Sequence, residues 1–146
     1  MAPISADTGA TRGDADSSKW WEAIGSGELR LPTCGHCKRK WFPPSPTCPH
    51  CGASDHTLES ATGRGTVYSW VVVHRTLDPE FVREAPYVIA AIDLDEGVRI
   101  VGRLFGESED GEEPPRVPAA LSAGADVRAV FYGPPDRRLL GWVAAR

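Results

Sequence analysis

Residues 34–51 read C-G-H-C-K-R-K-W-F-P-P-S-P-T-C-P-H-C and contain all the cysteines of the chain: Cys34, Cys37, Cys48 and Cys51. Each C-x-x-C pair directs two thiolates at one ion from a tight turn, and two such turns supply the four tetrahedral ligands that zinc prefers. Because four protein ligands leave no position for substrate, the spacing predicts a structural Zn²⁺ in a ribbon. His36 and His50 lie inside the turns as alternative ligands.

The alternative state of these cysteines is two disulfides. No apolar signal segment precedes them in this sequence, so we expect a cytoplasmic protein. A reducing compartment keeps cysteines as thiols, which favours the metal over the disulfides.

Length and composition favour a small β protein with a metal-binding module. With 146 residues, 13 prolines, 15 glycines and no long apolar helical pattern, the chain predicts short strands joined by turns. No apolar stretch is long enough to cross a membrane, so we expect no membrane association. The formal net charge of -4 falls to about -6 when four thiolates bind one divalent ion, which makes nucleic acid an unlikely partner.

The sequence patterns divide the chain into four segments. Residues 1–16 are small and polar, which predicts a disordered lead-in. Residues 17–28 predict a short amphipathic helix, with N-cap oxygens at residues 16–18. Residues 29–56 are the predicted zinc ribbon, and residues 57–146 are the predicted barrel domain.

The barrel domain is predicted to contain five strands. The first is long and bent, running from Thr57–Ser60 through a bend at residues 63–65 to Thr66–Val73. The others cover residues 87–94, 98–105, 125–132 and 139–143, and Asp95-Glu96-Gly97 predicts a hairpin between two of them. A bent first strand and a long third connection fit a mainly β OB-fold barrel, with an open sandwich as the alternative.

Four ordered blocks carry a family resemblance. They are W-W-E-A-I-G-S-G-E-L-R-L-P-T-C-G-H-C (20–37), P-P-S-P-T-C-P-H-C-G (43–52), G-R-G-T-V-Y-S-W-V-V-V-H-R (63–75) and A-P-Y-V-I-A-A-I-D-L-D-E-G-V-R-I-V-G-R-L (85–104). From about Trp20 to Trp142, the chain resembles domain-of-unknown-function family thirty-five. Members of that family pair a rubredoxin-like zinc ribbon with an OB-fold.

The resemblance implies a non-catalytic partner of a thiolase-like acyl-CoA enzyme. Such enzymes include thiolases and the lipid-transfer-protein-like aldolases of steroid side-chain degradation. The resemblance further implies a heterotetramer in which the partner holds most of the acyl-CoA substrate. Related domains occur beside hot-dog-fold enoyl-CoA hydratases, but this chain has no hydratase segment.

The residues themselves show no self-sufficient active site. There is no nucleophile elbow, phosphate-binding glycine loop or H-E-x-x-H pair, and His74 at a predicted strand end is the best lone candidate for proton transfer. Tryptophan and arginine are residue types that anchor protein interfaces, so an interaction subunit is the first hypothesis. The candidate partner-binding residues are Trp20, Trp21, Ile24, Trp41, Phe42, His74 and Arg75, together with the loop at 77–86.

Two other functions are weighed against the interaction subunit. One is single-stranded nucleic-acid binding, with Tyr68, Trp70 and Tyr87 as stacking platforms, which the acidic balance disfavours. The other is an acyl-CoA-binding protein or hydrolase acting alone. Arginines at the surface could bind acidic residues of a partner or the phosphates of CoA, although a single surface arginine is usually just solvated. The four candidates are Arg64, Arg75, Arg99 and Arg103.

Overall fold

The computed structural model describes residues 14–79, 81–108 and 112–145. Most of the predicted disordered lead-in, residues 1–16, lies outside them. In the described part of the chain, no helix is both long and apolar enough to span a bilayer.

The only α-helix among the described residues, α1, covers Ser18–Gly25 and is shorter than the predicted 17–28. The side chain of Asp14 accepts hydrogen bonds from the backbone N–H groups of Asp16 at 3.1 Å and Ser17 at 3.0 Å. Ser17 makes no side-chain capping bond itself. Asp14 therefore orders the helix entry, instead of the predicted oxygens at residues 16–18.

Two strands form the sheet of the ribbon. Strand β1 (Arg30–Cys34) pairs antiparallel with β2 (His56–Ser60), so that Cys34 lies opposite His56 and Arg30 opposite Ser60. The prediction that Thr57–Ser60 leads the first barrel strand is therefore wrong. The reason is that the hydrogen-bond partners of this segment lie in β1.

Five further strands form a closed barrel, which confirms the mainly β OB-fold prediction and excludes the open sandwich. They are β3 (Arg64–Val73), β4 (Tyr87–Leu94), β5 (Arg99–Phe105), β6 (Asp126–Tyr132) and β7 (Leu139–Ala144). Their order around the barrel is β3-β4-β5-β7-β6, in which β5 and β7 are parallel. The first residues of β3, Arg64–Thr66, pair with β6 and close the barrel.

The bend in β3 lies later than predicted. The pairing register with β4 shifts between Val67 and Ser69, which is a β-bulge, and Tyr68 is left 54% exposed. Gly65, in the predicted bend, instead pairs with both Leu94 of β4 and Val127 of β6.

One hydrophobic core joins the helix, the ribbon and the barrel. Trp20 and Ile24 of α1 and Leu31 of β1 belong to the same buried cluster as Ile92 and Trp142 of the barrel. Burial of apolar surface in one contiguous cluster couples the stability of the segments that contribute to it. The three parts of the described chain therefore share a core.

Candidate metal centre and surface sites

The four cysteine sulfurs converge on one point of the ribbon. The Sγ atoms of Cys34 and Cys51 are 3.6 Å apart, as are those of Cys37 and Cys48, and all four lie within 4.8 Å of one another. Four sulfurs bound tetrahedrally at 2.3 Å from one zinc ion are separated by roughly 3.8 Å. The thiols are unbridged, and their arrangement fits a metal ion and not two disulfides.

Tight backbone turns aim these sulfurs. In the first turn, Cys34 N–H donates to Arg39 O at 2.9 Å and Lys38 takes a left-handed backbone with φ 66°. In the second, Cys48 N–H donates to Ala53 O at 2.8 Å and Gly52 has φ 79°. Such turns place both thiols of a C-x-x-C pair on the inner side of the loop.

Backbone donors favour the thiolate form of Cys34. The N–H groups of Cys37 and His36 each donate to its Sγ at 3.3 Å, and these bonds, together with hydrogen bonds to the thiols of Cys51 and Cys37, lower the pKa of the Cys34 thiol to about 6. Because a metal binds the thiolate, the turn prepares Cys34 as a ligand. His50, the histidine in the second turn, was an alternative candidate ligand. Its ring Nε2 instead contacts the backbone oxygen of Lys40 at 3.3 Å.

Of the two aromatic residues between the metal-binding turns, Trp41 covers the cysteines and Phe42 does not. Trp41 is 5% exposed, packs with Cys34 and Cys48, and its ring centroid lies 5.4 Å from that of His56. Phe42 instead turns toward the helix, with its ring centroid 5.3 Å from that of Trp20.

Three of the predicted partner-binding residues are buried inside this chain. Trp20 is 5% exposed, Ile24 is fully buried and Trp41 lies in the ribbon cluster. Trp21 is half-buried and meets Trp20 edge to face, with ring centroids 4.8 Å apart. The helix therefore docks on its own protein, and Trp20, Ile24 and Trp41 offer little surface to a partner.

His74 and Arg75 are both exposed just after β3. They do not converge with the cysteines or the helix tryptophans. No hydrogen bond between described residues joins a histidine ring to a carboxylate or a nucleophilic side chain. The ring contacts of His50 and His56 within the described chain are to backbone oxygens.

The outer face of β3, β4 and β5 carries an exposed apolar patch that was not singled out from the sequence. Strand pairing places Val71 opposite Ile89 and Ala91 opposite Val101. Val71 is 59% exposed and Val101 64% exposed. We call these four residues the outer apolar patch. The sequence does contain a signal for this patch. Successive side chains of a strand point to opposite faces, and β4 has apolar residues at both sets of positions, so one apolar set must face outward.

At one end of this patch, Arg99 and Tyr68 form an exposed pair. The guanidinium carbon of Arg99 lies 3.4 Å from the Tyr68 ring centroid, and its Nε donates to Asp93 Oδ1 at 2.6 Å. The Arg99 guanidinium holds the pKa of Asp93 below its usual range. Arg99 is thus already neutralised by a neighbour.

At the other end of the patch, Arg103 is buried, contrary to its assignment as a surface arginine. It is 6% exposed, its Nη1 donates to Glu84 Oε2 at 2.6 Å, and its guanidinium lies 4.4 Å from the Tyr87 ring centroid. Tyr87, predicted as a stacking platform, is buried beside it. Burial of an arginine is uncommon and requires a partner.

Two family profiles match the chain. One is described as the ChsH2 rubredoxin-like zinc ribbon domain, over residues 21–57, and the other as the ChsH2 C-terminal OB-fold domain, over residues 59–132. Together they cover the ribbon, most of α1 and the first four barrel strands.

Two curated relatives are bacterial hydratase subunits. A Thermomonospora curvata protein named probable enoyl-CoA hydratase alpha subunit is 42% identical over 95 residues, covering 65% of this chain and 29% of the relative. A Mycobacterium tuberculosis protein named 3-oxo-4,17-pregnadiene-20-carboxyl-CoA hydratase alpha subunit is 32% identical, covering 87% of this chain and 37% of the relative. The chain thus spans about a third of the length of these relatives.

A solved structure described as the Ltp2-ChsH2(DUF35) aldolase contains a chain of similar fold. The TM-score is 0.74 at 34% sequence identity, and the match covers 90% of this chain and 96% of that chain. The similarity therefore extends over nearly the whole described protein.

Proposed function

The chain belongs to the DUF35 family of zinc-ribbon and OB-fold proteins, and from this membership we propose that it is an accessory subunit of an acyl-CoA enzyme. The partner enzyme we propose is a thiolase-like aldolase or thiolase. In this assembly the partner performs the chemistry and holds most of the acyl-CoA substrate. This chain supplies a binding surface and support for the partner's fold.

The observation that carries the proposal is the match to a chain of an aldolase whose description names two components, Ltp2 and ChsH2(DUF35). A second line of support is that the curated relatives are named as alpha subunits, which implies a further subunit in each. The name of the mycobacterial relative contains a steroid-derived acyl-CoA. We therefore propose a steroid side-chain acyl-CoA as the substrate class of the complex.

The described side chains support the proposal that the partner, and not this chain, performs the reaction. His74, the sequence candidate for proton transfer, is exposed and no described carboxylate orients it. The metal centre has four protein sulfurs and leaves no open ligand position. We propose that its ion is Zn²⁺ and that its role is to fold the ribbon.

The outer apolar patch is the surface we propose for the partner. Val71 and Val101 are more than half exposed on hydrogen-bonded strands of the barrel, where a partner can bury them with little ordering of the backbone. Leu77, 95% exposed in the loop after β3, is a further exposed apolar side chain. These residues replace Trp20 and Ile24 as interface candidates.

The same face disfavours the nucleic-acid hypothesis. OB-folds bind single strands on the face of their second and third strands, here β4 and β5, using aromatic platforms in a basic groove. In this chain that face presents Ala91 and Val101, and its exposed Arg99 is paired with Asp93. An apolar face with a neutralised arginine suits a protein partner better than a phosphate backbone.

We further propose that the assembly is a heterotetramer with a dimeric partner and that it works in the cytoplasm. An acyl-CoA-binding protein acting alone is the competing function. Acyl-CoA binding or turnover by the isolated chain would favour that alternative.

The test is a nuclease-treated pull-down with the tagged chain from its native cell extract, with captured proteins identified by mass spectrometry. We expect a thiolase-superfamily enzyme, which is then purified and recombined with the chain for calorimetry and size-exclusion chromatography. The double variant Val71→Glu/Val101→Glu is expected to weaken this binding by at least about tenfold, because each charge would be buried against an apolar surface.

The matched control places both glutamates at exposed positions before β6, as Ala119→Glu and Ala120→Glu in one chain, and so adds the same two charges. It should bind like the unmodified chain. Capture that disappears with nuclease, or the absence of any acyl-CoA enzyme among the captured proteins, would refute the accessory-subunit proposal. Unchanged binding by the double variant would refute only the choice of surface.

A further inference from the structure

The four cysteines of the metal centre differ in their access to solvent. Cys34 and Cys48 are 1% and 2% exposed, and Trp41 packs against both. Cys37 is half-buried, whereas Cys51 is exposed. A metal binds cysteine as the thiolate, so all four sulfurs of the metal-loaded chain are ionised, and exposure is what distinguishes them. A small oxidant in solution therefore reaches Cys51 first.

The sulfur that Cys51 contacts belongs to the other metal-binding turn. Its Sγ lies 3.6 Å from that of Cys34, and the Sγ atoms of Cys37 and Cys48 are also 3.6 Å apart. Both contacts thus join the first turn to the second. The sulfurs of a disulfide are about 2.05 Å apart, so those of Cys34 and Cys51 would approach by roughly 1.5 Å to form one. A buried thiolate beside an exposed one can resolve an oxidised sulfur in this way.

We propose that the metal centre is a peroxide-sensitive switch in which a Cys34–Cys51 disulfide replaces the metal. The Cys51 thiolate attacks one oxygen of hydrogen peroxide and breaks the O–O bond, which gives the sulfenic acid of Cys51 and one hydroxide ion. The Cys34 thiolate then attacks the Cys51 sulfur and breaks its S–O bond, and a second hydroxide leaves. Two thiolates are oxidised by two electrons in total, and one peroxide is reduced to two hydroxide ions.

Formation of this disulfide removes two of the four ligands of the metal. A disulfide sulfur carries no charge, and Cys37 and Cys48 alone cannot complete a tetrahedral shell, so the ion is released. The new bond ties residues 34 and 51, which lie on opposite turns, and replaces the cross-link that the metal made. The ribbon therefore stays closed without its metal. Reduction of the bond in the presence of the metal restores the original centre.

The first test uses the full-length, zinc-loaded chain and needs no variant. Hydrogen peroxide is added stoichiometrically, zinc release is followed with a chromogenic chelator, and the remaining thiols are counted after denaturation. We expect about one zinc ion released and about two thiols lost for each peroxide consumed. Treatment with a phosphine reductant and Zn²⁺ should restore about one ion per chain.

The sequence makes the disulfide pairing easy to determine. Lys38, Arg39 and Lys40 separate the two turns, so trypsin places each C-x-x-C pair on its own peptide, residues 31–38 and 41–64. A disulfide between the turns joins these two peptides, whereas one within a turn does not. We expect joined peptides, with the bond located at Cys34 and Cys51 by fragmentation. Dimedone, which traps sulfenic acids, should label Cys51 when it is present during the oxidation.

The matched control is the same chain stripped of zinc by a chelator with its thiols kept reduced. It loses the metal without gaining a disulfide, so its ribbon should lose the dispersed amide signals of a folded segment. The peroxide-treated chain should keep them, because the disulfide holds the two turns together.

Three results would overturn the proposal: zinc that stays bound in excess peroxide, a disulfide confined to one turn, or dimedone labelling of Cys34 or Cys48 in preference to Cys51. None of them bears on partner capture through the outer apolar patch, which is measured on the reduced chain. This proposal and the accessory-subunit proposal therefore fail or succeed separately.

Discussion

At the scale of single residues, we expect the sulfur of Cys34 to be essential for metal binding and for folding of the ribbon. It is 1% exposed, receives two backbone hydrogen bonds and lies next to three other thiols. Cys34→Ser is expected to abolish stoichiometric metal binding and to unfold the ribbon, because binding energy of a structural metal is folding energy. Metal content by mass spectrometry and far-ultraviolet circular dichroism measure the two effects.

His50→Ala is the control for that substitution. The residue lies between two cysteines, but its ring contacts a backbone oxygen, so metal content should stay near one ion per chain. Metal loss in His50→Ala would establish a histidine ligand in place of one sulfur. A Cys34→Ser protein that keeps its metal and melting temperature would contradict the structural role.

Single residues differ in how far the sequence determines their place. The four cysteines were predictable because ligand spacing within a tight turn is a local property. The burial of Arg103 was not, because β5 alternates and predicts an outward side chain there. Its cover comes from Glu84 and Tyr87, distant in the chain, and only tertiary structure brings them together.

At the scale of the elements, the absence of a side chain at Gly65 of β3 allows this strand to lie close to β4 in the barrel. A Cβ at this position would lie 2.5 Å from Asp93 O and 2.8 Å from Ile92 Cγ2. Because one obstacle is backbone, relief requires a strand to move, and Gly65→Ala should lower the free energy of unfolding by about 1–3 kcal/mol. Urea denaturation followed by circular dichroism measures this loss.

Gly25→Ala is the matched substitution, in the last residue of α1, where a Cβ meets no atom within 4 Å. Alanine favours helix, so this variant should be as stable as the unmodified chain or slightly more stable. If Gly65→Ala also had unchanged stability, the close pairing of β3 with β4 and β6 would be wrong.

The elements show why strand type was easier to predict than strand partners. The hairpin at residues 95–97 and the bounds of β4 agree with the structure, because turn residues and β-branched runs are local signals. The partner of β2 is Arg30–Cys34, more than twenty residues earlier. Nothing in the segment itself distinguishes pairing in the ribbon from pairing in the barrel.

At the scale of the whole molecule, the shared core makes the helix part of the barrel's stability. Trp20 belongs to one buried cluster with Leu31 of the ribbon and Trp142 of the barrel. Its ring also packs on Phe42, beyond the first metal-binding turn. Helix, ribbon and barrel should therefore unfold in one cooperative transition of the metal-loaded chain.

Trp20→Ala should destabilise this whole transition by about 3–5 kcal/mol, because a large buried ring leaves a cavity that the shared core cannot refill. The half-buried Trp21 packs at the edge of the same cluster, so Trp21→Ala should cost clearly less. Denaturant unfolding, followed once by a signal from the helix and once by a signal from the barrel, measures the stability loss of both variants. If Trp20→Ala left barrel stability unchanged but removed partner binding, the helix would be an interface element after all. If both signals shift together, weaker partner capture by Trp20→Ala reflects loss of the fold, and the interface must be sought on the outer apolar patch.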